Sequence, residues 1–254
     1  MGSVVTCPKC KFTSDATFNE CPKCGVIVSK YLQRAADQKG YEAQEAAKKK
    51  AAIAGLENAN VISIRQRKEW GEILTSFETR NRYDIHDAMG RHLFEAAEEG
   101  GSVMTVLTRG FLTSLRPFTM HILSDDGEEL FMFKRPFRFY FHEIDICRPN
   151  GQVIGRVQRR FSFMRRIYTV MDQNDNEVYT LFGPIFHPWT FNIMDNGEEL
   201  GKITKKWSGL VKESISDADN FGIAFPKGSN VYQKAILLGA VFLIDFVHFE
   251  SKQN

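Results

Sequence analysis

The chain has 254 residues, of which 43% are hydrophobic and 25% charged, values typical of a globular protein with a real core and not of a disordered or fibrous chain. A formal net charge of +2 excludes an overall basicity or acidity that would name a partner, so any such argument has to rest on local charge. The start, Met1-Gly2-Ser3-Val4-Val5-Thr6-Cys7, shows neither the basic opening and apolar run of a secretory signal nor a good myristoylation pattern, and the expected compartment is cytoplasmic.

Residues 1–28 are short, turn-rich and carry four of the five cysteines. Cys7 and Cys10 form one Cys-x-x-Cys pair, and Cys21 and Cys24 form another after ten intervening residues. Two thiolates two residues apart can face one ion from a single tight turn, and two such knuckles complete a tetrahedral site suited to Zn²⁺. Four protein ligands leave no open coordination position, so the expected role is structural, with the metal supplying most of the module's stability. An iron site with the same knuckles is the lesser reading, because its intervening loop is usually longer. A ribbon of this size contacts protein or caps a neighbour, since it lacks the dense basic face that nucleic acid would favour. The fifth cysteine, Cys147, reads as a buried strand residue.

Residues 29–76 are rich in Ala, Gln, Lys and Glu, strong helix formers with a thin apolar face. They predict a solvated helical linker, interrupted near Gly40 and Gly55. From residue 77 the texture changes to short alternating strands. Five hairpins are expected around Asp87-Ala88-Met89-Gly90, Asp125-Asp126-Gly127, Pro149-Asn150-Gly151, Asn174-Asp175-Asn176 and Asp195-Asn196-Gly197. Asn-Gly and Asp-Gly supply the positive φ angles of two-residue hairpin turns, and five hairpins in succession predict a closed antiparallel barrel or a sandwich.

Within residues 134–166 basic side chains outnumber acidic ones: Lys134, Arg135, Arg138, Arg148, Arg156, Arg159, Arg160, Arg165 and Arg166 face only Glu143 and Asp145. Phe137, Phe139, Phe141, Phe161 and Phe163 interleave with them. Strand alternation predicts phenylalanines on the core face and arginines outside. Lys134, Arg135, Arg138, Arg156, Arg159, Arg160, Arg165 and Arg166 are the candidate surface for an anionic ligand, either lipid headgroups or nucleic-acid phosphates. Toward the C-terminus, Asp217-Ala218-Asp219-Asn220-Phe221-Gly222-Ile223 precedes an apolar run from Ala235 to Phe249. As a helix that run would span about 22 Å, short of a hydrocarbon core of about 30 Å, and it contains Asp245 and His248; a buried core helix is the expectation, with membrane insertion of this helix the alternative.

Leu115-Arg116-Pro117-Phe118-Thr119, Lys134-Arg135-Pro136-Phe137-Arg138, Lys205-Lys206-Trp207-Ser208-Gly209, the Asp217–Ile223 segment and the final helix, taken in order, resemble the phospholipid scramblase family over roughly Arg80 to Glu250. The resemblance implies a mainly β fold: a tubby-like closed antiparallel barrel of about twelve strands around a C-terminal hydrophobic helix. The expected domains are a zinc ribbon at 1–28, a helical linker at 29–76 and a scramblase-like barrel at 77–254. It also implies a protein that binds anionic phospholipid, with transbilayer lipid movement attributed to the family, no covalent catalysis, and a peripheral position on the inner face of the plasma membrane. The alternative is a module that binds nucleic acid or protein away from membranes.

Calcium activation is attributed in the family to the carboxylate segment, where Asp217, Asp219 and the carbonyl of Ile223 stand at ligand positions one, three and seven, with Gly222 at six. Position twelve is Gly228, preceded by Lys227, where an acidic ligand is expected, so the ligand set for Ca²⁺ is weak. The other reading of this loop is a turn capped by Asp217 and Asn220. The acylated cysteine cluster of animal members has no counterpart in Gly110-Phe111-Leu112-Thr113-Ser114. No phosphate-binding glycine loop, nucleophile elbow or paired-histidine helix occurs, and the six histidines stand singly.

Overall fold

A computed structural model describes residues 5–67, 81–99, 117–138, 141–162, 165–205 and 220–248. They belong to two compact units, Met1–Lys50 and Ala51–Asn254. The first holds a two-stranded sheet, β1 (Val5–Thr6) and β2 (Thr13–Ser14), and most of a helix, α1 (Val28–Asn58). The expected breaks at Gly40 and Gly55 do not occur. A glycine costs about 1 kcal/mol relative to alanine within a helix, too little to interrupt so long a run of strong helix formers.

The second unit is a twelve-stranded closed barrel. Its strands are β3 (Val61–Arg67), β4 (Arg82–Asp87), β5 (His92–Glu98), β6 (Phe118–Leu123), β7 (Glu129–Arg135), β8 (Glu143–Cys147), β9 (Val153–Arg159), β10 (Arg166–Asp172), β11 (Glu177–Gly183), β12 (Thr190–Asp195), β13 (Glu198–Lys205) and β14 (Asn220–Ala224). Each strand pairs antiparallel with its neighbour in sequence, and β14 pairs back onto β3 to close the ring. Period-2 burial is plain in β4, where Tyr83, Ile85 and Asp87 are buried between half-exposed residues. The strand β3 lies inside the stretch expected to be a helical linker through residue 76, and Val-Ile-Ser-Ile shows why: β-branched alternation outweighs the helical texture before it.

Four of the five hairpins do not close with a two-residue turn, among them those at Asp126-Gly127 and Asn150-Gly151, where the dipeptide suggested one. In each, the first residue donates its N–H to the carbonyl four positions on, and the fourth donates back to the first: Asp87 with Arg91 and Gly90, Ser124 with Glu128 and Gly127, Arg148 with Gln152 and Gly151, Asp172 with Asn176 and Asp175. Only that fourth residue is left-handed, with φ of 79°, 81°, 85° and 61° at Gly90, Gly127, Gly151 and Asp175. These are three-residue loops. Asp195-Asn196-Gly197-Glu198 alone has two consecutive positive φ values, 47° and 87°. Asp87 and Asp172 also accept N–H groups from residues two and four further along. Those N–H groups, starting with that of Asn174, hold the Asp172 carboxyl below its usual range.

All five hairpins also carry a register shift near the turn, leaving one extra residue on the second strand. The pairings place Leu93, Leu130, Ile154, Val178 and Leu200 at these positions, all of them aliphatic. Bulges bend and twist a strand, which is what curving a sheet into a ring requires.

The last element, α2 (Val231–His248), lies inside the barrel. Side chains from one arc of the wall meet it: Tyr83 of β4 and Phe133 of β7 pack on Phe242 (5.1 and 6.0 Å between centroids), and Phe118 of β6 stacks on Phe246 at 4.1 Å. It is long and apolar enough to cross a bilayer, but 67% of it is buried in protein, as expected for a core helix. A capping box starts it, with Gln233 N–H bonded to the Asn230 side chain and Asn230 N–H to the Gln233 side chain, both at 3.0 Å. Lys234, buried in its first turn, donates to the carbonyls of Glu57 (2.5 Å) and Ala59 (2.8 Å), placing a cation at the negative C-terminal end of α1. At its far end Lys205 Nζ meets Asp245 Oδ1 at 3.0 Å, and Tyr168 O–H lies 2.8 Å from His248 Nε2.

Two glycines let the helix approach the wall. A Cβ on Gly155 of β9 would lie 2.2 Å from Ile236 Cδ1 and 2.6 Å from the Met171 carbonyl; one on Gly239 of α2 would lie 2.8 Å from Ile146. The Met171 carbonyl is backbone and cannot move aside. Gly155→Ala is therefore expected to destabilise the barrel by about 2 kcal/mol through overpacking, read from urea or thermal unfolding. A loss under about 0.5 kcal/mol would show that the wall yields more easily than this.

Candidate functional sites

The four N-terminal thiols converge. Cys7 and Cys24 sulfurs are 3.9 Å apart, Cys10 and Cys21 sulfurs 3.6 Å, and all four lie within 4.8 Å of one another. Ligands at about 2.3 Å from a tetrahedral ion sit about 3.8 Å apart, so the spacing fits a thiolate-bound metal. The two knuckles repeat one backbone design. Cys7 N–H donates to Phe12 C=O (2.7 Å) and Lys11 N–H returns to Cys7 C=O (3.0 Å); Cys21 N–H donates to Val26 C=O (2.9 Å) and Gly25 N–H returns to Cys21 C=O (2.8 Å). The residue four past each first cysteine is left-handed, Lys11 at φ 62° and Gly25 at 64°. Glycine takes that conformation freely; lysine does so at a cost of about 1 kcal/mol.

The electrostatics also suit a cation. Backbone N–H groups, that of Cys10 foremost, hold the Cys7 thiol down to about 6 despite its burial. At Cys24 the Val26 N–H pulls the same way, but burial and the three other sulfurs prevail and push it up to about 12. Four crowded thiols cannot all ionise without a positive charge among them.

The carboxylate loop is revised. Asp217 and Asp219 lie outside the described residues. Ile223, the third expected ligand, is fully buried in β14, paired to Ile203 on one side and Ile62 on the other. Gly222 likewise pairs with Thr204 and Ser63 and makes no turn. Residues 220–224 form the strand that closes the barrel and cannot also curl around an ion, so the calcium ligand set is not supported. Phe221 and Ile223, alternate and buried, are what turn this segment into a strand.

The arginine strip separates into groups. Arg135 is not on the surface: it is 3% exposed at the end of β7, donating to His142 Nδ1 at 3.1 Å above the rings of Phe118 and Phe246. Burial, then Arg135 and Arg159, bring His142 down to about 4, which leaves it neutral and able to accept that bond. Arg138 pairs with Glu143 (2.9 Å) and Arg156 with Asp145 (2.6 Å), while Arg160 pairs with Glu177. Glu177 belongs to the next hairpin, so the acid that answers Arg160 is invisible in a local charge count. Arg166 donates to the carbonyls of Pro184, His187 and Pro188 and covers the Phe191 ring at 4.7 Å. Lys134, Arg159 and Arg165 remain with no carboxylate partner among the described residues.

The aromatics are revised as well. Phe141 and Phe161 are exposed, not in the core; Phe139 and Phe163 lie outside the described residues. With Ile185 and Phe186, both exposed, they occupy connections at the end of the barrel where α2 finishes. The Ile185-Phe186 pair escaped the sequence reading, which followed charge. An apolar dipeptide between two prolines was the available signal. Cys147 is buried in β8, as expected.

A single apolar helix threaded through a closed twelve-stranded meander defines the class, a helix-filled antiparallel barrel. The chain belongs to the phospholipid scramblase family, whose profile, described as Scramblase, matches residues 41–251. It is 34% identical over 213 residues to mouse phospholipid scramblase 1, covering 78% of this chain and 64% of that one. Human phospholipid scramblase 1 is 35% identical (77% of this chain, 65% of that one), and bovine phospholipid scramblase 2 is 34% identical (78% and 71%). The chain thus spans slightly under two thirds of the length of the mouse and human type 1 proteins. Among solved structures, a protein from Arabidopsis thaliana matches with a TM-score of 0.41 at 12% identity, covering 76% of this chain and 96% of that one.

Proposed function

We propose that this protein acts on phospholipid bilayers as a scramblase-like protein, binding anionic phospholipid from the cytoplasmic side and promoting exchange of lipid between leaflets. The observation that carries this is the family match, which runs through the whole barrel and α2. The reading needs no covalent step. The nucleic-acid alternative gains nothing from these relatives, whose names refer to phospholipid. The reading gives calcium no part, and β14, which takes up residues 220–224 of the expected loop, supports it.

The N-terminal module binds one structural Zn²⁺ through Cys7, Cys10, Cys21 and Cys24 and serves as a protein-contact or capping element. The test of the main reading is reconstitution into vesicles with a fluorescent lipid in both leaflets and a membrane-impermeant quencher outside. Loss of more than half the fluorescence, equal with calcium and with chelator, is expected. A plateau at half, with protein shown to be bound, would restrict the activity to binding.

A further inference from the structure

The two ends of the barrel differ in chemistry. Among the described residues, the end that α2 enters carries exposed carboxylates on three of its tight turns, Asp125, Asp126, Asp175, Asp195 and Glu198, which outnumber the Arg91, Arg148 and Lys227 of its other connections. At the end where α2 finishes, three connections lie side by side, between β7 and β8, β9 and β10, and β11 and β12. They are laced together: Arg159 N–H donates to His142 C=O (2.8 Å), and Arg166 reaches from β10 to the backbone of Pro184, His187 and Pro188.

Phe186 (89% exposed) and Ile185 form the tip of a turn closed by His187 N–H on Pro184 C=O, followed at once by a second turn from His187 to Thr190. Phe161 is 86% exposed in the neighbouring connection. Turn tips ordinarily carry Gly, Asn, Asp or Ser. Here the apolar pair Ile185-Phe186 stands at a tip whose backbone is pinned from beneath by a half-buried guanidinium, so it projects by construction and cannot fold back easily. Arg159 and Arg165 flank them without carboxylate partners among the described residues.

We infer that Phe161, Ile185 and Phe186, with Arg159 and Arg165, form a docking rim that inserts into the surface of an anionic phospholipid bilayer, turning the acidic end of the barrel away. This rests on the lipid-binding reading above and adds the orientation to it. Charge complementarity selects the occupant: cations beside projecting aromatics match acidic headgroups over an acyl boundary, and the opposite end is repelled by the same headgroups.

The test is co-sedimentation of the full chain with vesicles of phosphatidylcholine and phosphatidylserine. Phe161→Ser with Phe186→Ser is compared with Met89→Ser, which removes an apolar residue, 79% exposed, from a turn at the opposite end. All three side chains are exposed, so folding should be unaffected, and thermal unfolding checks it. The double variant should lose about tenfold or more in partitioning, with Met89→Ser unchanged. Wild-type binding with no loss in the double variant, or equal loss in both variants, would overturn the rim and leave the lipid reading standing. No binding of the wild type at any serine-lipid content would overturn both.

Discussion

Replacing Cys21 with serine is expected to unfold residues 5–27 while the melting of the barrel moves by no more than about 2 °C. Among its described residues the module has a sheet of two residues per strand and, for an apolar core, only the buried Cys7 and Cys21 and the half-buried Phe12–Phe18 pair. Structural zinc contributes an apparent 10–16 kcal/mol, roughly, in small modules of this kind, so if the proposed ion is bound, losing one of its four thiolates removes most of what folds the segment. Two measurements check this: bound metal, falling from one zinc per chain to well below one, and rapid proteolysis between Thr6 and Val28. The barrel is a separate compact unit and serves as the internal control. Persistent protection of the segment in metal-free protein would remove the structural role of the ion.

Lys205→Met should cost the barrel about 3–5 kcal/mol, a fall in melting temperature of roughly 10 °C for a unit of this size. Lys205 is 7% and Asp245 13% exposed, with 3.0 Å between them, and the ammonium also lies 5.1 Å from the Phe221 ring centroid. The substitution removes the ammonium that faces the Asp245 carboxylate at 3.0 Å inside the barrel. The penalty comes from the desolvation of a buried carboxylate that has lost its cation more than from the lost attraction, which the double variant reveals: Lys205→Met with Asp245→Leu should recover most of the loss. If the double variant were as unstable as the single one, the pair would be supplying packing that an apolar couple cannot replace.

Much of the barrel could be read from local signals. The turn residues and the alternating strands around them mark each hairpin within 16 to 18 residues, and α2 announces itself by hydropathy. The two strands that escaped, β3 and β14, are those whose partner lies at the other end of the domain. β3 follows a long helix-forming stretch, and β14 sits in a segment where two aspartates and a glycine suggested an ion loop. The turns were misassigned for a different reason: Asp126-Gly127 and Asn150-Gly151 have the dipeptides of a two-residue turn, but the bonding begins one residue earlier, at Ser124 and Arg148. The thiol cluster was legible because its four cysteines are close in sequence. The arginine strip was legible only in part, since burial of Arg135 and neutralisation of Arg160 are decided by neighbours on other strands.

Closure of the barrel by β14 on β3 has a consequence for how the molecule is made. Ile223 meets Ile62 across 161 positions of chain, and α2 follows only after that seam. The wall can grow hairpin by hairpin during synthesis, each step joining residues close in sequence. It cannot become a ring until residue 224 has left the ribosome, and its apolar lining has nothing to enclose until residue 248 follows. The order of the sequence therefore makes the open trough, with two unpaired edges and a bare interior, an obligatory nascent species, and the interval before the last two elements arrive is when the chain is most exposed to aggregation.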